Sequence, residues 1–311
     1  MNKNPSPWPL ETGDQATTAA GAIALVWDGR FQDQKALVKF KYIRNQGKMQ
    51  KLPSAFSAAW KYQQRVGQLG LLPAAQHPAV GVLSPAELVS VAPSRPLGEA
   101  CGEGPSGPLL ELLQDAGIVV AKIRVTGSRA LGIHRPDSDW DLIVPVWEEQ
   151  IPQVRETLCR ALERGELNIP EASNTWRRID QLFPGGGARV VESRRFAETV
   201  QSGNSKVAMI FVEASEPAPA LGPDWECVGR AVFQGVVRDS RHSAFKRAGY
   251  VLETRQGPVH GICYHKLGNL LREGDQIVVA GWHYIQPPDR HYLVQFYPEP
   301  DLLGWQCPPT A

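Results

Sequence analysis

Asp139 and Asp141 flank Trp140 at the head of an apolar run, Leu142-Ile143-Val144-Pro145-Val146. Side chains alternate along a strand, so the two carboxylates share one face and Trp140 takes the other. Paired carboxylates repel each other unless a cation joins them. The fitting ion is Mg2+ (or Mn2+), which takes oxygen ligands and bridges substrate phosphates. Upstream of Asp139, with ten residues between, stands Gly127-Ser128, at the end of a second apolar run, Ile118 to Val125. Glycine lets a phosphate approach the backbone, the Ser128 hydroxyl can donate to a phosphate oxygen, and a helix start there adds N–H groups and a positive dipole end. Arg129 and Arg135 add charge-assisted contacts to the same anion. The chemistry expected is metal-assisted handling of a triphosphate, in which paired ions activate a hydroxyl and stabilise departing pyrophosphate.

The spacing Gly127-Ser128, ten residues, Asp139-x-Asp141 resembles the signature of the polymerase-β-like nucleotidyltransferase superfamily. The longer string Gly-Ser-Arg-Ala-Leu-Gly-Ile-His-Arg-Pro-Asp-Ser-Asp-Trp-Asp is similar to the small nucleotidyltransferases of bacteria and phages. Arg194-Arg195-Phe196 through Gly203-Asn204 resembles that group's downstream helix and Gly-Asn turn, so the likeness covers about 100 residues. It implies an α+β core, a mixed sheet with helices, that binds an NTP (ATP first) and moves its NMP onto a hydroxyl. It also implies a third carboxylate on a neighbouring strand, binding metal and helping to deprotonate the acceptor. Asp180, in the run Arg177 to Phe183, is the first choice, with Glu192 and Glu213 as alternatives; Asp180 paired with Arg177 or Arg178 is the structural alternative.

The elements that must position these residues fall into three regions. The nucleotidyltransferase core spans 109–215, between two Pro- and Gly-rich linkers at 93–108 and 216–223. Its pattern predicts a helix from Pro108 to Ala116, strands over Ile118–Val125, Asp139–Val146, Arg177–Phe183 and Val207–Val212, and helices over Ile151–Arg164 and Arg195–Gln201. Gly185-Gly186-Gly187 reads as a loop.

Region 1–92 is a basic α+β segment. Strands are expected at Ala22–Trp27 and Ala36–Tyr42 around a turn at Asp28-Gly29, then a helix at Ala55–Leu69. No Asp or Glu occurs from Gln34 to Ala86, while Lys39, Lys41, Arg44, Lys48 and Lys51 fall among aromatic residues. A basic strip with interleaved rings suits a polynucleotide backbone and its bases, and suits equally a solvated face over an aromatic core.

Region 224–311 carries five strand-like runs: Val228–Arg238, Tyr250–Arg255, His260–Lys266, Gln276–Tyr284 and Tyr292–Tyr297. Their order and spacing resemble an OB-like β-barrel, which implies a single-stranded nucleic acid or tRNA-like acceptor. Arg238, Arg241 and Arg247 are its candidate phosphate contacts; Phe233, Phe245, Tyr250, Tyr264 and Trp282 are its candidate stacking rings. Two other readings stand beside a nucleic-acid 3′ end: transfer to a protein, as in antitoxin-like AMPylation, and a degenerate core that only binds nucleic acid.

Composition narrows the setting. Five cysteines, none in a Cys-x-x-Cys pair, argue against a disulfide framework or zinc ribbon. Strand alternation puts Cys263 and His265 on one face and His260 on the other, a poor geometry for a three-ligand metal site. No run approaches a membrane span, so a soluble, cytoplasmic protein with no membrane partner is expected.

Overall fold

The computed structural model describes residues 10–19, 21–32, 34–45, 48–51, 80–100, 104–169, 199–215, 220–222, 224–264, 268–295 and 302–306. They form a mixed α+β protein with three sheets and few helices. Two compact units are present: Met1–Arg95 with Thr126–Gly132 and Pro217–Pro223, and Pro96–Val125 with Ile133–Glu216 and Asp224–Ala311.

The first unit is built on β1 (Gln15–Thr18), β2 (Ala22–Gln32), β3 (Lys35–Asn45), β4 (Lys48–Lys51), β5 (Val80–Leu83) and β6 (Leu88–Ala92). They pair antiparallel in the order β4-β3-β2-β1-β6, and β5 shares β3's outer edge with β4. Alternation sends Val38, Phe40 and Tyr42 inward and leaves Lys39 and Lys41 partly exposed, as β3's sequence requires. The turn expected at Asp28-Gly29 is instead a bulged stretch inside β2. Gly29 is there because the Leu10 carbonyl crosses its backbone: a Cβ would lie 1.6 Å from that oxygen. Ala220 and Leu221, from the Pro-rich stretch 216–223, donate their N–H groups to the Arg30 and Phe31 carbonyls. The helix expected at Ala55–Leu69 lies outside the described residues.

A five-stranded sheet, β10-β11-β9-β8-β7, belongs to the second unit apart from Arg95 and Thr126; β7 is Arg95–Pro96, β8 Arg124–Thr126, β9 Trp140–Val146, β10 Thr199–Ser202 and β11 Ser205–Glu213. One face is apolar. Trp140, Leu142, Val144 and Val146 of β9 lie beside Val207, Met209 and Phe211 of β11, and the helix Ile151–Glu163 covers them with Ile151, Val154, Leu158 and Ala161. Burying such a stripe, at about 1.5–3 kcal/mol for each large aliphatic side chain, anchors the strand that begins beside the acids. The run Ile118–Val125, expected as one strand, is a 3-10 turn at Val120–Lys122 and a short strand at Arg124–Thr126. The Lys122 and Ile123 N–H groups bond locally to Val119 and Val120, taking donors a ladder would need. Thr199–Gln201, expected at a helix end, are strand.

In the same unit β12 (Glu226–Asp239), β13 (Ala248–Thr254), β14 (Gly257–Cys263), β15 (Gln276–Gln286) and β16 (Arg290–Gln295) close into a barrel, β12-β13-β14-β16-β15 and back to β12. β14 and β16 run parallel; the other barrel pairs are antiparallel. All five expected strands are present, and a sixth, β17 (Leu302–Gln306), extends the sheet along β15. Phe233, Tyr250, Leu252, Val259, Ile277, Val279 and Leu293 fill the interior. Gly261 is the point where the Tyr250 ring crosses a neighbouring strand. No helix among the described residues is long and apolar enough to cross a membrane.

Candidate active site

Asp139 and Asp141 open the central strand β9. Trp140 between them is buried in the core, so the pleat turns both carboxylates to the other face, where each is partly exposed. Parallel pairing sets their neighbours: Val207 of β11 pairs with Trp140, and Ala208 with Asp141. Lys206 follows the Gly203-Asn204 turn, and its Nζ lies 3.5 Å from Asp139 Oδ2. Beyond Ala208, Thr199 of β10 continues the row. On β9 and β11 this row bears two carboxylates, one ammonium and Ala208.

Oxygen ligands on an open strand end suit Mg2+, which is held by one or two carboxylates together with substrate phosphates. Among the described residues no third His, Cys, Asp or Glu joins the pair. Glu213 is carried away by the register. It pairs with Val146, five residues beyond the Ala208–Asp141 level, or about 17 Å along the strand. Its carboxylate lies 3.8 Å from His242 Nδ1 instead. Asp180 and Glu192 lie outside the described residues, as do Gly185-Gly186-Gly187.

In the first unit, Gly127 adopts φ +71°, a conformation that only glycine enters without strain. It begins a single helical turn, Gly127–Ala130, with Gly127 buried and Ser128 and Arg129 partly exposed. One turn sums few peptide dipoles, so the anion-binding capacity lies in the individual N–H groups and the Ser128 hydroxyl rather than in a macrodipole. Thr126 is buried and donates its hydroxyl proton to the Gly13 carbonyl; the Gln15 side-chain amide donates to the Gly127 carbonyl at 3.0 Å. In the second unit, Arg135 is exposed and shapes the approach to Asp139: its N–H donates to Ser138 Oγ at 2.9 Å, and the Ser138 N–H returns to the Arg135 carbonyl.

The expected nucleic-acid contacts divide. Lys39 is held over the Trp27 ring at 5.3 Å, and Lys41 is partly exposed beside it on β3. Arg44 and Lys48 lie at the paired ends of β3 and β4, and Lys51 ends β4, exposed. On the barrel, Arg238 reaches Glu253 at 3.2 Å. Arg241 grips both oxygens of Asp239 through its guanidinium, which holds that carboxyl below its ordinary range. Arg247 is partly exposed.

Four of the expected stacking rings, Phe233, Phe245, Tyr250 and Tyr264, are core residues, because alternation or loop packing turns them inward. Trp282 alone of that set is on the outer face, with Arg230 5.8 Å above its ring. The sequence reading missed the rings that do cluster outside. Trp225 packs on Tyr292 with centroids 4.0 Å apart, and His260 stacks on the same ring at 5.1 Å. Burial and nearby Arg290 push the His260 imidazole below its usual pKa, which favours a neutral ring. Lys206, Gln15 and Thr126 were also missed. Lys206 was open to discovery from strand register; Gln15 and Thr126 are joined to their partners across more than 100 residues, with no sequence signal. No protein-family model matches this chain, and neither a curated protein nor a solved structure is detectably similar to it.

Proposed function

We propose that the chain is a metal-dependent nucleotidyltransferase of the polymerase-β-like kind, moving the NMP of an NTP onto a nucleic-acid 3′ hydroxyl. The observation that carries this reading is the carboxylate pair: Asp139 and Asp141 share one partly exposed face at the start of β9, opposite the buried Trp140, with the Lys206 ammonium 3.5 Å from Asp139. The Ser128 hydroxyl and the turn's N–H groups bind the triphosphate, with Arg129 and Arg135 adding positive charge. Asp139 and Asp141 would hold Mg2+ (or Mn2+), which when bound lowers the pKa of an attacking hydroxyl and neutralises charge on the leaving pyrophosphate. The acceptor oxygen forms a bond to the α-phosphorus, the bond to the pyrophosphate oxygen breaks, and the acceptor proton passes to a base. Asp180 and Glu192 are the choices for that base.

A polymeric acceptor is favoured by the barrel. Its order, first-second-third-fifth-fourth strand with the third and fifth parallel, supports the OB-like reading, and such barrels serve single strands by stacking and backbone charge. The ring group Trp225, Tyr292 and His260 is the stacking surface this reading would use.

The test is incubation with Mg2+ or Mn2+, each labelled NTP, and mixed single-stranded RNA and DNA, beside an Asp139→Ala/Asp141→Ala control. Label on a polynucleotide 3′ end, absent from the control, is expected. Label on protein instead establishes the AMPylation reading. Salt-sensitive strand binding without any transfer establishes a degenerate core.

A further inference from the structure

We infer that Gln15 and Thr126 are positioning residues for the triphosphate: β1, an inner strand of the first unit's sheet, sets the direction of the Gly127–Ser128 peptide. This rests on the function proposed above. β1 runs between β2 and β6, and Gln15 sits at its start, paired with Leu25 on one side and Ala92 on the other, 3% exposed. Its backbone is therefore fixed from both edges. The side-chain amide leaves the sheet to donate to the Gly127 carbonyl at 3.0 Å. Two residues earlier, Gly13 accepts the proton of the Thr126 hydroxyl. Gly13 is itself held by its N–H bond to the Val26 carbonyl. Next to it, the buried Asp14 carboxylate accepts from the Glu11 and Ser94 N–H groups and the Ser94 hydroxyl. The anchoring side is thus rigid and fully bonded.

The consequence follows from peptide geometry. In a planar trans peptide the carbonyl and the following N–H point in opposite directions. Fixing the Gly127 carbonyl on Gln15 fixes the Ser128 N–H away from the sheet, with the Ser128 side chain beside it. The Leu131 N–H reaches the same carbonyl only at 3.4 Å, so Gln15 is the shorter of its two partners, while Thr126 ties the preceding residue to Gly13; glycine at φ +71° has wide torsional freedom, and losing the Gln15 bond loosens the peptide's direction. The first unit therefore presents a preformed phosphate donor, and its bonds to the turn serve nucleotide affinity as well as folding.

The full chain is used, with ATP and inorganic pyrophosphate as probes in Mg2+, binding measured by calorimetry and melting temperature recorded in parallel. Gln15→Met is expected to weaken both ligands about tenfold, the scale of one misdirected buried hydrogen-bond donor. It should leave Mn2+ affinity without nucleotide within twofold. Thr126→Val should weaken ATP similarly, and Thr126→Ser should restore it. Gln15→Glu supplies a readout that mere scaffolding would not move. Its ionised carboxylate cannot donate and its protonated form can, so its ATP affinity, relative to wild type at the same pH, should recover from pH 8 to pH 5.5. ATP affinity unchanged within twofold in Gln15→Met and flat in Gln15→Glu, with only the melting temperature lowered, overturns the positioning role while leaving the function standing. A wild-type chain that binds neither ATP nor pyrophosphate overturns both.

Discussion

Lys206 is the residue whose removal most sharply tests the proposed metal site, because the expected change is a gain. Its ammonium lies 3.5 Å from Asp139 Oδ2, and both side chains are more than two-fifths exposed. A water-like dielectric therefore applies. Two unit charges 4 Å apart then interact by about 1 kcal/mol. A divalent ion on Asp139 doubles the repulsion from Lys206, and physiological salt, with a Debye length of about 8 Å, removes roughly half of it. Lys206→Gln should therefore tighten Mn2+ by about 1 kcal/mol, or about fivefold. The assay is Mn2+ titration by electron paramagnetic resonance at pH 7.5 without nucleotide, repeated at high salt, where the gain should shrink. With ATP present the advantage should vanish or reverse, since the ammonium then faces a polyanion. An unchanged or weakened Mn2+ affinity refutes the assignment of Asp139 as a ligand, because no ligand carboxylate at that distance escapes the field of Lys206.

Gly127 and Gly132 form a matched pair, at φ +71° and +68°, and a Cβ at Gly132 would meet nothing within 4 Å. Alanine at either should cost about 1–2 kcal/mol of backbone strain by denaturant unfolding, but nucleotide transfer should fall at least tenfold only in Gly127→Ala; equal activities would remove Gly127 from the site. In the barrel, Gly261→Ala places a methyl 2.0 Å from the Tyr250 ring, whose hydroxyl bonds Gln295 Oε1 while the Gln295 amide reaches the Ala280 carbonyl. Expelling that ring combines overpacking with a lost buried bond, about 3 kcal/mol in all by urea unfolding, and a loss under 1 kcal/mol would show that the ring moves freely.

The parts of this protein that were legible in its sequence are those governed by short-range rules. The alternation of Trp140 between Asp139 and Asp141, the Ile151–Glu163 stripe and the five barrel strands each follow from a local period, and each is present. The errors share a cause: residues answered to a distant partner. Gly29 reads as a turn glycine, yet it is required by the Leu10 carbonyl crossing the strand. Phe233 and Tyr250 stood among the candidate stacking rings, of which some had to be core, because ring type alone does not say which face of a barrel strand it occupies; the closed barrel turns both inward. Gln15 and Gly127 lie 112 residues apart, so no window of sequence joins them.

The identity of the third acid is narrowed by pairing alone. At the level of Asp139 and Asp141, β11 offers Lys206 and Ala208, β10 offers Thr199 and Gln201, and β8 contains Arg124, Val125 and Thr126. None is an acid. β11's own carboxylate, Glu213, lies at the other end of the strand and faces His242. A two-carboxylate strand end is enough to hold Mg2+ that also takes phosphate oxygens, and among the described residues these strand positions add no further acid to serve as a base. For the proposed transfer, Asp180 and Glu192, in the chain between Ile169 and Thr199, are the candidate protein bases, and the substrate's own phosphates are the alternative. Neutralising Asp180 and Glu192 one at a time therefore separates a protein base, lost in one variant with ATP binding intact, from a phosphate base, lost in neither.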